Sequence, residues 1–151
     1  MGRHFEAFKL GEVFETYGRT ITETDLVNFA GMTGDNNPLH MDETFAASTA
    51  FGGRIAHGPF FVGLTFGLLS QFDLLERTVL ALRRVSWQFD GPVKPGDTVR
   101  VRAEVVELKA HPKKSDRGNV SMTVTLLNQR DEEVQSGQFT VVMARRPVSP
   151  D

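Results

Sequence analysis

The sequence predicts an α+β domain in which an antiparallel sheet wraps around one long apolar helix. Three observations carry this. Patterning is helical or irregular from Thr22 to Phe72, and it alternates with period 2 from Val79 to Ala144. Between them lies one strongly apolar run, Gly58 to Leu69 (GPFFVGLTFGLL).

The first helix has a clear start. Thr22-Glu23-Thr24-Asp25 fits a capping box, and Leu26, Phe29, Ala30 and Thr33 follow at i, i+3, i+4 and i+7, with Gly34 as the stop. A short helix is expected from the N-cap Asp42, turning Phe45, Ala46 and Ala47 inward. A third is expected from about Gly58 to Gln71; it is apolar nearly all round and should be buried on most sides.

The strands follow. Val85, Trp87 and Phe89 close the first, and Val99, Val101, Ala103 and Val105 point one way against Arg100, Arg102 and Glu104. Val120, Met122, Val124 and Leu126 repeat the pattern, and Phe139, Val141 and Met143 form the last strand. The Lys94-Pro95-Gly96-Asp97 turn is compact, and His111 to Asn119 is a longer polar connection. A further strand is plausible within Val13 to Thr20. A sheet wrapped on one helix has two open edges and uncovered apolar area, so a homodimer or higher homo-oligomer is expected.

Composition sets the outer bounds. The 151 residues suffice for one domain, set at 1–146, with a frayed tail at 147–151 that carries Pro147 and Pro150. Net charge is −2, so no whole-surface attraction to nucleic acid or anionic lipid is expected. With no cysteine there is no disulfide framework, thiolate nucleophile or sulfur-ligated zinc. The start of the chain lacks the apolar core of a signal peptide, and the longest apolar run falls short of the roughly 20 residues that span a bilayer. A soluble cytoplasmic protein without a membrane partner is the expectation.

The chemistry concentrates in Gly34-Asp35-Asn36-Asn37-Pro38-Leu39-His40-Met41-Asp42, expected as a loop between helices. Asp35 and His40 lie five residues apart, and Pro38 stiffens the path between them. Such a loop can set a carboxylate and an imidazole on two sides of one water, the minimum for general acid–base work. The plainer alternative is a turn-forming Asp and a capping or packing His. Phe51-Gly52-Gly53-Arg54-Ile55-Ala56-His57-Gly58 then leads into the apolar helix. The first amides of that helix have no intrahelical acceptor, and Gly58 permits close approach. A developing oxyanion can meet those amides; so can His57 or a water.

These motifs resemble the MaoC-like (R)-specific enoyl-CoA hydratase family. The likeness rests on Gly34-Asp35-x-Asn37-Pro38-Leu39-His40-x-Asp42, Phe51-Gly52, Ile55-Ala56-His57-Gly58 and the Pro92-Val93-x-Pro95-Gly96-Asp97-Thr98 turn. It implies a hot-dog fold, usually a homodimer, with Asp35 and His40 as the catalytic dyad and the Gly58 amide as the oxyanion hole. Asn37 would support the loop geometry, and His57 matches the family pattern in a supporting role that is structural and not chemical. The family's small hydroxyl residue on the central helix falls at Phe66, or at Thr65 if the alignment shifts by one. The implied substrate is an acyl-CoA with a short or medium chain, hydrated across a trans-2 double bond or dehydrated in reverse.

A neutral His40 as base is expected to need Asp35 protonated or promptly reprotonated, which asks for desolvation by Phe45, Phe51, Phe60 and Phe61. Phe51 and Phe60 are candidates for the substrate wall; Arg54, Arg83, Arg84 and Lys94 are candidates for the CoA phosphates. No cofactor or metal is expected, since His40-x-Asp42 lacks further ligands and an activated alkene needs no Lewis acid. Three other readings compete: a hot-dog acyl-CoA thioesterase, a 3-hydroxyacyl dehydratase acting on acyl carrier protein, and a non-catalytic subunit.

Overall fold

The structure, a computed structural model, describes residues 2–147. A 3-10 turn at Phe5–Ala7 precedes β1 (Val13–Glu15) and β2 (Arg19–Thr20). Then come α1 (Glu23–Thr33), α2 (Pro38–Met41), α3 (Glu43–Ala47) and α4 (Phe60–Leu69), the last prolonged by a 3-10 turn at Ser70–Phe72. Four long strands complete the chain: β3 (Val79–Phe89), β4 (Thr98–Ala110), β5 (Arg117–Leu127) and β6 (Glu133–Ala144).

The sheet runs β1-β4-β5-β6-β3 with every pairing antiparallel, and β2 also pairs with β4. Register explains the core. Val101 faces Leu126, Ala103 faces Val124 and Val105 faces Met122; Met122 in turn faces Phe139, and Val120 faces Val141. All of these are buried, so one face of the sheet is a continuous apolar wall. Phe61, Leu68 and Leu69 of α4 pack on it, joined by Phe14, Ile21 and Leu26 in a single core. This is the hot-dog arrangement of a sheet around a central helix.

α1 begins and ends where its capping residues place it. The Asp25 carboxylate accepts from the Thr22 amide at 2.8 Å, and Leu26 and Ala30 are buried. Gly34 closes the helix with φ 78°, a left-handed conformation that glycine adopts without a side-chain clash, and its amide reaches the Ala30 carbonyl at 2.8 Å. α3 is capped by Asp42, whose side chain accepts from the Phe45 amide.

Three expectations change. Of the residues expected to turn inward on α3, only Ala46 is buried; Phe45 is 48 % exposed and Ala47 is exposed, because a five-residue helix presents just one residue to the core. The expected loop at 35–41 contains a helical turn, α2, nucleated by Asn37 as cap and Pro38 in its first turn. α4 is covered on one side only. Phe61, Thr65, Leu68 and Leu69 are buried, whereas Gly63 and Gly67 are exposed, since one chain's sheet reaches only one face of the helix.

At the end of β6, Arg145 pairs with Glu6 at 2.6 Å, and Pro147 is exposed. The rest of the expected tail, 148–151, lies outside the described residues. No helix among the described residues is long and apolar enough to cross a membrane.

Candidate active site

Two chain segments cross at the site, and hydrogen bonds between them set its geometry. The first is the α1–α2 connection, Gly34 to His40; the second is Ile55 to Gly58, which leads into α4. Ile55 accepts from the His40 ring through Nδ1 at 2.7 Å, and its amide donates to the Leu39 carbonyl at 3.3 Å. His57 Nε2 meets the Asp35 carbonyl at 2.9 Å. The second segment is itself held to the sheet by the bond from the Ala56 amide to the Val93 carbonyl, 2.7 Å.

Because a carbonyl only accepts, the His40 contact assigns the hydrogen of the neutral ring to Nδ1. Nε2 is thereby left with a lone pair. Asp35 is held by an Asx turn, its Oδ1 accepting from the Asn37 amide at 3.3 Å, and the Asn37 side chain caps α2 through the Leu39 amide at 3.0 Å. One carboxylate oxygen of Asp35 and one ring nitrogen each of His40 and His57 lie within 4.8 Å of one another. Two hydrogen bonds of about 2.8 Å meeting on one water oxygen span about 4.6 Å, so groups within this limit can share a single water.

A cavity of about 350 Å³ opens beside His40, and Asp35 is not among its lining residues. His40, Phe51, Gly58, Phe61, Phe89 and Gln135 are among its walls. Among the described residues the Gly58 amide meets no acceptor. The next two amides turn inward, Phe60 to the His57 carbonyl and Phe61 to the Gly58 carbonyl. The His57 side chain does not satisfy the Gly58 amide, which is thus a free donor at a cavity wall.

The remaining expected residues separate. Phe51 lines the cavity. Phe60 does not; it packs edge-on to Phe29 and Phe61 at 5.8 and 5.2 Å. Arg54 is engaged elsewhere. Its guanidinium bonds Glu43 at 2.8 Å and Glu23 at 2.5 Å, and these two carboxylates raise its pKa further. It pins the second segment to the starts of α1 and α3 and is not free for a phosphate. Arg84 lies on β3 beside Ser86, Gln138 and Thr140, away from the cavity walls. Lys94 donates to the Phe51 carbonyl at the cavity rim. The Thr65 hydroxyl bonds back to the Phe61 carbonyl within α4, and Phe66 stacks on Phe139, so neither brings a hydroxyl to the cavity.

Asp35 is exposed, as is Phe45; the dry enclosure expected around the carboxyl is not made by one chain. The sequence reading also missed that His57 joins Asp35 and His40 as a third possible metal ligand. The two imidazoles are stacked with planes 32° apart, a poor arrangement for ligands that must converge at about 2.0–2.1 Å. Gln135 was missed too. It is buried, accepts from the Trp87 indole at 2.8 Å and lies 3.4 Å from the Gly58 carbonyl. The inward phase of Phe139, Val141 and Met143, continued back along β6, would have found it.

Similarity to known proteins follows the same outline. Protein MaoC of Klebsiella aerogenes is 42 % identical over 101 residues, 66 % of this chain and 30 % of that protein. The 3-hydroxybutyryl-CoA dehydratase of Methylorubrum extorquens is 40 % identical over 105 residues, 70 % of this chain and 65 % of the relative. This chain therefore spans less than two thirds of either. The (R)-hydratase of A. caviae involved in PHA biosynthesis superimposes with a TM-score of 0.76 at 27 % identity, covering 94 % of this chain and 99 % of that one. Residues 6–128 match the family described as MaoC like domain, and the chain belongs to that family.

Proposed function

We propose that the protein is a hydro-lyase that adds water to trans-2-enoyl-CoA thioesters to give (R)-3-hydroxyacyl-CoA, or removes it in reverse. One observation carries the reading. The Asp35 carboxylate and a His40 ring nitrogen lie within 4.8 Å of each other, within reach of one shared water, and His40 and Gly58 with its free amide wall a cavity. The dehydratase and (R)-hydratase among the relatives support the same chemistry.

The steps follow from the bonds described. Asp35 and His40 Nε2 hold the water, and Nε2 takes its proton as the oxygen bonds to C3 of the enoyl chain. Charge moves through the conjugated system onto the thioester oxygen, where the Gly58 amide donates; losing such a donor costs about 3 kcal/mol. The His40 Nε2 proton then passes to C2, so the water's hydroxyl and proton are both delivered and His40 is restored. The scheme uses no metal or cofactor and needs no protonated Asp35. The cavity volume suits a short or medium acyl chain.

The working unit in this proposal is a cytoplasmic homodimer joined through β3. That strand has 11 residues and lies at the sheet edge, with all but one exposed, and a partner there would cover apolar side chains such as Leu82, 53 % exposed.

The test follows the ultraviolet absorbance of crotonyl-CoA with purified protein and then the configuration of the product. Loss of the enoyl signal giving (R)-3-hydroxybutyryl-CoA is expected. Asp35→Asn and His40→Ala should each reduce turnover by about 100- to 10,000-fold with folding intact. Near-normal hydration by either variant overturns the dyad, and thiol release from butyryl-CoA would point to a thioesterase.

A further inference from the structure

His57 is the only ionisable side chain buried among the described residues, at 1 % exposure, and the proposed steps leave it unused. Its surroundings are specific. Nε2 faces the Asp35 carbonyl at 2.9 Å, while Nδ1 is buried with no partner. A carbonyl cannot donate, so the neutral ring carries its hydrogen on Nε2. The other tautomer would set a lone pair against the carbonyl oxygen and bury an N–H without an acceptor. One face of the ring stacks on His40, centroids 4.0 Å apart, and Phe29 of α1 packs on it at 4.9 Å. The residue precedes Gly58 directly in the chain.

One residue thus meets the main chain of Asp35 and the ring of His40 through its imidazole, and its main chain leads directly into Gly58, whose amide is free at the cavity wall. We propose that His57 is a positioning residue for hydration: its N–H tethers the Asp35 turn, and its ring is the platform on which His40 is aimed. The inference rests on the Asp35/His40 reading. Among the described residues the His40 ring has one polar tether, its Nδ1 bond to the Ile55 carbonyl, about which the ring can still rock. The His57 face removes that freedom and so holds the His40 ring in the cluster whose ligand atoms lie within 4.8 Å of one another. A displacement of about 1 Å at such a site costs about 100-fold in rate.

Two substitutions divide the two roles. His57→Gln can place an amide N–H near Nε2 but supplies no ring, whereas His57→Phe supplies a ring but no donor. With crotonyl-CoA, kcat is expected to fall about tenfold in His57→Gln and about 100-fold in His57→Phe, with KM within threefold and the thermal midpoint little changed. His57→Ala, lacking both, should be slower than either. Turnover within twofold of wild type in both conservative variants overturns the proposal. So does a loss of activity that only tracks loss of thermal stability, the signature of a merely structural residue.

Imidazole 15N shifts of the wild type and His57→Phe read the geometry independently of turnover. His57 should be protonated on Nε2, and His40 should lose its single Nδ1–H form in the variant. A wild type inert toward every enoyl-CoA would overturn the reaction assignment. The tether and platform would then be judged on those shifts alone, and an unaltered His40 signal would sink them.

Discussion

Gly58 is the position where the absence of a side chain matters most. A Cβ built there would lie 2.9 Å from the Phe89 ring, on the cavity wall beside the free amide. Phe89 is 55 % exposed and able to move aside, so Gly58→Ala should leave thermal stability nearly unchanged. The methyl group would nevertheless crowd the approach of the thioester oxygen. We expect kcat/KM for crotonyl-CoA to fall about 100-fold or more, the scale of losing one oxyanion donor. Steady-state kinetics alongside a thermal melt check both halves. At this scale the gathering of Asp35, Asn37 and His40 in one turn was legible because they lie within six residues of chain, and Gly58 because it precedes the apolar helix. Arg54 was not. Its partners Glu23 and Glu43 lie 31 and 11 residues away, and only the folded chain shows that its charge is neutralised.

At the scale of elements, α1 is held at its start by a small acidic device. Asp25 accepts from the Thr22 amide and pairs with Arg19, and the hydrogen bond from Arg19 is the main cause of its lowered pKa. A carboxyl whose folded pKa lies below its unfolded value of about 3.9 stabilises fully above that value. The stabilisation is lost as pH falls through the folded pKa. Asp25→Asn should therefore cost about 1 kcal/mol at pH 7, mostly through the cap, since Arg19 is 38 % exposed and its pairing is screened. The difference from wild type should shrink toward zero in strong acid, as urea unfolding at both pH values will show. Elements with long regular patterns were readable: β4 follows its alternation over its first half and β5 over most of its length, and α1 buries Leu26 and Ala30 of its stripe while Thr33 is exposed. α2 was not, because four residues are too few to show a period, although Asn37-Pro38 is a recognisable start. α4 announced its apolar nature but not how much of it one chain covers.

Across the whole molecule the two sides of the sheet are unlike. β1 ends one side with three residues, Val13–Glu15, while β3 ends the other with 11. The pairing proposed through β3 predicts twice the chain mass by light scattering. Leu82→Lys, which sets a charge on the exposed strand of each copy, should give single chains with reduced hydration of crotonyl-CoA, because Phe89 at the end of that strand walls the cavity. Fully active single chains of the wild type would remove the paired unit. This scale was least legible in the sequence: alternation marks inward and outward residues but not which strand ends the sheet.

The contrast between the two borders also sets a stopping rule. In the proposed pair, a long border that meets its own image across a two-fold axis is used up by one encounter, and the three-residue border opposite offers little ladder for a third chain. Growth then halts by symmetry, with no need for a separate blocking device against fibres.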